Sequence, residues 1–183
     1  MKITRPIRAV LFDMDGVMVD SEFVYMKYLL EFAKEKNPAV TMEDINQMVG
    51  RSRQDSWTVM ERAVNNGETW ETLIKEWAER DIYSRIDYRK IFRPEMKTTV
   101  QELKRRGYTV ALVSSTGPKL ISRIVEEVGM RPEFDLIVSG KQFKQSKPNP
   151  EIYHYTADTL GIREDECFVV EDSTVGIEAA YRA

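Results

Sequence analysis

Four short apolar runs constrain this chain most: Ala9-Val10-Leu11-Phe12, Thr109-Val110-Ala111-Leu112-Val113, Phe134-Asp135-Leu136-Ile137-Val138 and Cys167-Phe168-Val169-Val170. Runs this short, bounded by turn residues, read as buried strands, the first covering about residues 7–12. Amphipathic helices alternate with them. Val100 and Leu103 belong to a helix stopped by Arg105-Arg106-Gly107, a basic last turn before glycine. Gly117-Pro118 opens a helix carrying Leu120, Ile121, Ile124, Val125 and Val128, and Gly129 closes it. Pro150 begins another that ends at Gly161, and a last helix starts at Thr174. Strands alternating with helices imply an α/β fold with a Rossmann-like parallel sheet covered on both faces.

Between Glu22 and about Tyr88 the pattern is helical only. Phe23, Met26, Leu29, Leu30 and Ala33 recur at helical spacing until Asn37-Pro38. Thr41 with Asp44 three residues on caps a short helix ending near Gly50. A third helix runs from Arg53 to Asn65, and Thr69 opens a fourth with Trp70, Leu73, Ile74, Trp77 and Ala78 on one face. The aromatic residues there are expected to be core. The domain organisation predicted is an α/β core from residues 1–19 and 92–183, with a helical insert at 20–91.

Composition excludes several classes of function. A net charge of −3 offers no nucleic-acid footprint. No apolar stretch is long enough to cross a membrane, and no signal-peptide pattern opens the chain, so a cytoplasmic protein is expected. Cys167 is the only cysteine, expected as a buried inert thiol. His154 is the only histidine, which removes Ser-His-Asp and multi-histidine metal chemistry by count.

In open parallel sheets, ligands bind beyond the carboxyl ends of the strands. Asp13 and Asp15 follow the first run, Ser114 and Thr116 the second, and Glu171 and Asp172 the last; Lys147 lies on the loop before the Pro150 helix. Two carboxylates two residues apart converge on a cation, or divide the tasks of nucleophile and proton carrier. Read alone, Asp13-Met14-Asp15-Gly16 is also an ordinary turn. Ser114 and Thr116 also suit helix capping, which is the reading favoured for Thr116. Met14 is expected to turn into the core, and Gly16 to supply a positive φ or a close backbone approach.

Asp13-Met14-Asp15-Gly16-Val17 with Asp20-Ser21 resembles the opening signature of the haloacid dehalogenase-like (HAD) phosphohydrolases. Val113-Ser114-Ser115-Thr116, Ser146-Lys147-Pro148-Asn149-Pro150, and Val170-Glu171-Asp172-Ser173 with Gly176-Ile177-Glu178-Ala179-Ala180 follow in that family's order. The likeness is greatest to the β-phosphoglucomutase-like subgroup and its small phosphatases. It implies a Mg²⁺-dependent phosphatase of a small phosphate ester, such as a sugar phosphate, and an aspartyl-phosphate on Asp13. By the same resemblance Asp15 is the general acid and base, Lys147 neutralises charge, and Ser114 and Ser115 bind the phosphoryl group. The metal ligands implied are the Asp13 carboxylate, the Asp15 main-chain carbonyl and Asp172, with Glu171 joining directly or through water. The helical insert resembles the family's cap, which encloses the substrate, with Asp20 and Ser21 ordering the hinge. Arg53 falls where β-phosphoglucomutase binds a second phosphate.

Two departures accompany the resemblance. Tyr25 stands where β-phosphoglucomutase carries a histidine, which favours hydrolysis over mutase chemistry. Family members continue past the Glu178-Ala179-Ala180 helix, so a C-terminal strand is expected to be missing here. A phosphomutase and a non-catalytic phosphometabolite-binding module are the alternatives. A monomer is expected, with neither nucleic acid nor membrane as partner.

Overall fold

The computed structural model describes residues 6–49 and 51–183. The chain divides into two compact units, one made of Met1–Ser21 and Asp87–Ala183, the other of Glu22–Ile86.

The first unit is built on four parallel strands: Ala9–Phe12 (β1), Thr109–Ser114 (β2), Leu136–Ser139 (β3) and Cys167–Val170 (β4). Their order across the sheet is β3-β2-β1-β4. β1 sits between β2, with Ala9 opposite Thr109, and β4, with Ala9 opposite Cys167. The chain steps outward from β1 to β2 to β3, then returns to lay β4 on the other side of β1. That reversal makes the crevice beyond β1 and β4 the topological switch point, where open sheets bind ligands.

Strand alternation sends side chains to both faces. Ala9, Leu11, Ala111, Val113 and Val138 pack with Ile152 and Tyr153 of helix Glu151–Leu160 (α8) and Ala179 of helix Thr174–Arg182 (α9). Val10, Phe12, Val110 and Leu112 are buried on the alternate positions. Helix Glu95–Arg105 (α6) packs on β2, and helix Pro118–Glu127 (α7) on β3. β4 is an edge strand, and Phe168 on it is 45% exposed, so coverage there is partial. Burial pushes the Cys167 thiol up to about 11, which leaves it unreactive near neutral pH.

β2 and β3 each end one residue later than the sequence reading, at Ser114 and Ser139, and two strand starts differ as well. β1 begins at Ala9 rather than residue 7. β3 begins at Leu136 rather than Phe134, because the Asp135 carboxylate accepts from Val110 N at 2.9 Å and from Lys104 Nζ at 2.8 Å.

The second unit comprises helices Ser21–Lys36 (α1), Met42–Asn46 (α2), Arg53–Val64 (α3), Trp70–Glu79 (α4) and Ile82–Arg85 (α5), α1 beginning one residue before it. The Thr41–Asp44 pair forms a full capping box. That second helix ends at Asn46, with Gln47 as its C-cap, short of the expected end near Gly50, a residue that itself lies outside the described residues. Ser52 caps α3 by accepting from Asp55 N at 3.2 Å. Phe32, Trp57 and Trp77 meet at ring centroid distances of 5.5–6.3 Å, so the aromatic face of α4 is core. Among the described residues, no helix is long and apolar enough to cross a membrane.

Candidate active site

The site lies at the carboxyl ends of β1, β2 and β4. Asp13 follows β1 directly, and its amide donates to Val170 O at 2.9 Å, which prolongs the β1–β4 pairing by one residue. The chain then coils into a tight loop, with Gly16 N bonded to Val19 O and Met18 N to Met14 O, both 2.8 Å. Met14 is fully buried, as its position between two acidic residues at a strand end led us to expect. Gly16 has φ +78°, and a Cβ there would lie 1.8 Å from Asp172 Oδ2. Both reasons for glycine therefore apply.

Lys147 Nζ is the hub of the site. It donates to Asp13 Oδ1 at 2.7 Å, to Glu171 Oε1 at 2.6 Å and to Val113 O at 3.2 Å. Its side chain is only 4% exposed. Glu171 is held in turn through its other oxygen, which accepts from Ser173 N and Ser173 Oγ, both at 2.9 Å. A Cβ on Gly176 would fall 1.7 Å from Glu171 Oε1, so this carboxylate rests against a surface that only glycine provides.

One buried ammonium faces more than one carboxylate. Burial pushes the Asp13 carboxyl up to about 7, against the opposing pull of Lys147. Burial acts the same way on Glu171, but its bonds from Lys147 and Ser173 outweigh it and hold this carboxyl below its ordinary value. Both carboxylates touch the same cation; Asp13 is the more deeply desolvated and also feels the Glu171 and Asp15 charges, while Glu171 gains the Ser173 donors. Burial disfavours the charged form of Lys147, yet the Asp13 charge and the bonds to both carboxylates more than compensate and raise its pKa. The Asp172 carboxyl is raised, first by burial and then by the Glu171 and Asp15 charges. Asp13, Glu171 and Asp172 each offer an oxygen within 4.8 Å of the others. Three carboxylates and one ammonium leave a surplus of negative charge, and hard oxygen donors in that arrangement suit a divalent cation such as Mg²⁺.

Asp15 is held differently. Ser21 Oγ donates to its Oδ1 at 2.6 Å, and Thr116 Oγ1 to its Oδ2 at 2.8 Å. Thr116 therefore does not cap the following helix. Gly117 takes the N-cap position of α7 without a side-chain bond. This corrects the capping assignment, and the reason is distance along the chain: the Thr116 hydroxyl finds a carboxylate 101 residues away. Ser114 ends β2 fully buried, its Oγ accepting from Thr116 N at 3.1 Å, while Ser115 is exposed. Sequence reasoning missed Thr116 and Ser173 as partners of the acidic residues. It placed Ser21 at a hinge without its bond to Asp15. A hydroxyl near a motif is too common to stand out.

Arg53 belongs to the helical unit. It is exposed at the start of α3 and lines a cavity of about 450 Å³ with Tyr25, Trp57 and Trp77.

Comparison with known proteins fits this geometry. Residues 10–183 match the family of haloacid dehalogenase-like hydrolases, and the chain belongs to it. A putative phosphatase, YhcW, of Bacillus subtilis is 28% identical over 97% of this chain and 80% of its own length. A phosphorylated carbohydrates phosphatase of Thermotoga maritima is 26% identical over 97% of this chain and 82% of its own. A solved putative β-phosphoglucomutase from Thermotoga maritima superposes with a TM-score of 0.78, at 26% identity, over 96% of this chain and 81% of that one. The fold is that of the haloacid dehalogenase-like hydrolases, in their β-phosphoglucomutase-like subgroup.

Proposed function

We propose that this protein is a Mg²⁺-dependent phosphatase of small phosphorylated metabolites, sugar phosphates foremost, working through an aspartyl-phosphate on Asp13. The observation that carries this reading is the enclosed Asp13–Lys147–Glu171 cluster at the switch point of the sheet, beside Asp172. The phosphatases among the relatives support it.

Asp13 attacks the phosphoryl group, forming a bond from a carboxylate oxygen to phosphorus while the ester oxygen departs. Asp15 gives that oxygen its proton, then takes one from the water that cleaves the aspartyl-phosphate. The Ser21 and Thr116 hydroxyls hold the Asp15 carboxyl in one orientation. Lys147 neutralises charge shared between Asp13 and the incoming phosphoryl oxygens. Ser114, Ser115 and nearby amides bind the phosphoryl group. Asp13, the Asp15 carbonyl, Asp172 and Glu171 are the residues suited to hold Mg²⁺. Bound there, the cation cancels repulsion between the anionic nucleophile and the anionic substrate. Arg53 is assigned to a second anionic group of the substrate.

Hydrolysis is preferred to mutase chemistry because of Tyr25. Its Oη accepts from Trp77 Nε1 at 3.2 Å, and burial raises its pKa further from neutrality. It carries no proton on or off near pH 7. The test is phosphate release from a panel of phosphorylated metabolites, with and without Mg²⁺. Mg²⁺-dependent release is expected. Interconversion of sugar phosphates with a bisphosphate primer, and little free phosphate, would replace this reading with the mutase.

A further inference from the structure

Lys147 is enclosed on four sides. Its bonds to Asp13, Glu171 and Val113 use all three N–H groups of the ammonium. The fourth side is an aromatic face: Nζ lies 5.2 Å from the ring centroid of Tyr153, within the range of a cation–π contact. Tyr153 stands in the first turn of α8 and is 2% exposed. Its Oη is buried and has no hydrogen-bond partner among the described residues. The Lys147 charge also acts on the Tyr153 hydroxyl, but that hydroxyl forms no hydrogen bond among the described residues, and the contact with the cation that the geometry shows is the ring's.

We propose that Tyr153 is a positioning residue for Lys147, its ring face holding the ammonium against Asp13. The inference rests on the phosphatase reading for its catalytic consequence. A lysine side chain has four rotatable bonds, and a strongly hydrated ammonium takes water wherever water can reach it. A hydroxyl or amide on the fourth side would add a competing hydrogen bond and turn the N–H groups away from the carboxylates. A ring face attracts the cation and excludes water without diverting any of its three donors. The need is greatest once Asp13 has bonded to phosphorus, because its attraction for Lys147 is then weakest. Tyr153 and Glu171 remain to keep the ammonium beside the phosphoryl group.

The test changes the charge of the ring face at nearly constant size. Tyr153→Phe is compared with variants carrying phenylalanine with one, two and three ring fluorines at this position, each of which drains the ring's negative face. Tyr153→Phe should keep kcat within about twofold. The trifluorinated ring should lower kcat about tenfold with KM unchanged, and log kcat should fall steadily with fluorine count. A flat series overturns the proposal, as does a tenfold loss already at Tyr153→Phe, which would move the contribution to the hydroxyl. A second readout is the ¹H–¹⁵N signal of the Lys147 ammonium in metal-free protein. Its proton exchange should be slow in the parent chain and faster with each fluorine, and exchange independent of fluorine count overturns the proposal. If the parent chain releases no phosphate from any substrate, the phosphatase reading fails while the ammonium signal still decides the role of Tyr153.

Discussion

The two units bury opposite things. At the ends of its strands the α/β unit buries charge: Asp13, Lys147 and Glu171 meet with side-chain exposures of 2–10%. The helical unit buries Phe32, Trp57, Trp77 and Leu73, and keeps its charges in ion pairs at the margin of that core. Arg80 pairs with Glu35 and Glu76, and Lys36 with Glu68 and Glu76. A buried charge cluster is poor evidence of stability, since desolvation offsets most of the attraction. An apolar aromatic core is direct evidence of it. The contrast therefore separates a region built for chemistry from one built for cohesion, and substitutions in the two should differ in their effect on turnover even where they cost similar stability.

The largest effect should come from Asp13→Asn. Loss of the proposed nucleophile should lower kcat by about 10⁴-fold or more, with the circular dichroism spectrum unchanged. Retained turnover would remove Asp13 from the chemistry and blur the distinction between the units. Lys147→Met probes the same cluster through stability. It strands two buried carboxylates, and urea unfolding of the metal-free protein should show a loss of about 3–5 kcal/mol. Phe32→Ala tests the other side. Cavity formation in the aromatic core should cost about 3–5 kcal/mol, while kcat of the folded fraction stays near that of the parent. A fall in kcat as deep as that of Asp13→Asn would break the separation.

The pH dependence sharpens the comparison further. Burial raises the Asp13 carboxyl from 3.8 to about 7 in the folded protein. Between those values the folded state binds a proton that the unfolded chain has lost. Stability of the metal-free protein should therefore fall as pH rises from about 4 to about 7, by about 1 kcal/mol per pH unit. Added Mg²⁺ should flatten that slope, because a cation favours the ionised carboxyl. Urea titrations across this range, with and without the metal, make the check. The smallest effect belongs to Arg80→Ala on the helical surface. Its partner Glu35 is 56% exposed, so about 0.2–1 kcal/mol is expected, shrinking further in salt.

Legibility in the sequence also differed between the units. In the α/β unit, strand β4, the start of β2 and the start of α9 at Thr174 fall where the sequence puts them. Such runs are short, and their immediate neighbours delimit them. β3 slipped by two residues because the Asp135 side chain bonds across to Val110. In the helical unit the capping box at Thr41 and the left-handed stop at Asn65 follow from local residues. The four-residue helix α5 escaped notice, because one turn has no period to read. Asp13, Lys147, Glu171 and Asp172 were singled out by their place at strand ends and in motifs that resemble the family's, and they do lie together. The partners that orient them were not legible, since Ser, Thr and Tyr occur throughout the chain.

By itself, the sequence determined an alternating α/β architecture, a helical insertion and the family, because each is written in residues close along the chain: apolar period, caps, turns and short motifs. Only the tertiary structure decided which side chains meet. Lys147 reaches Asp13 across 134 residues, and Thr116 reaches Asp15 across 101. Those contacts depend on the β3-β2-β1-β4 order, which brings the ends of β1 and β4 together at the point where the chain reverses across the sheet. Propensity acts within a few residues. The charge balance of a buried cluster is set by whichever groups the completed sheet brings within about 3 Å of one another, the range of a hydrogen bond.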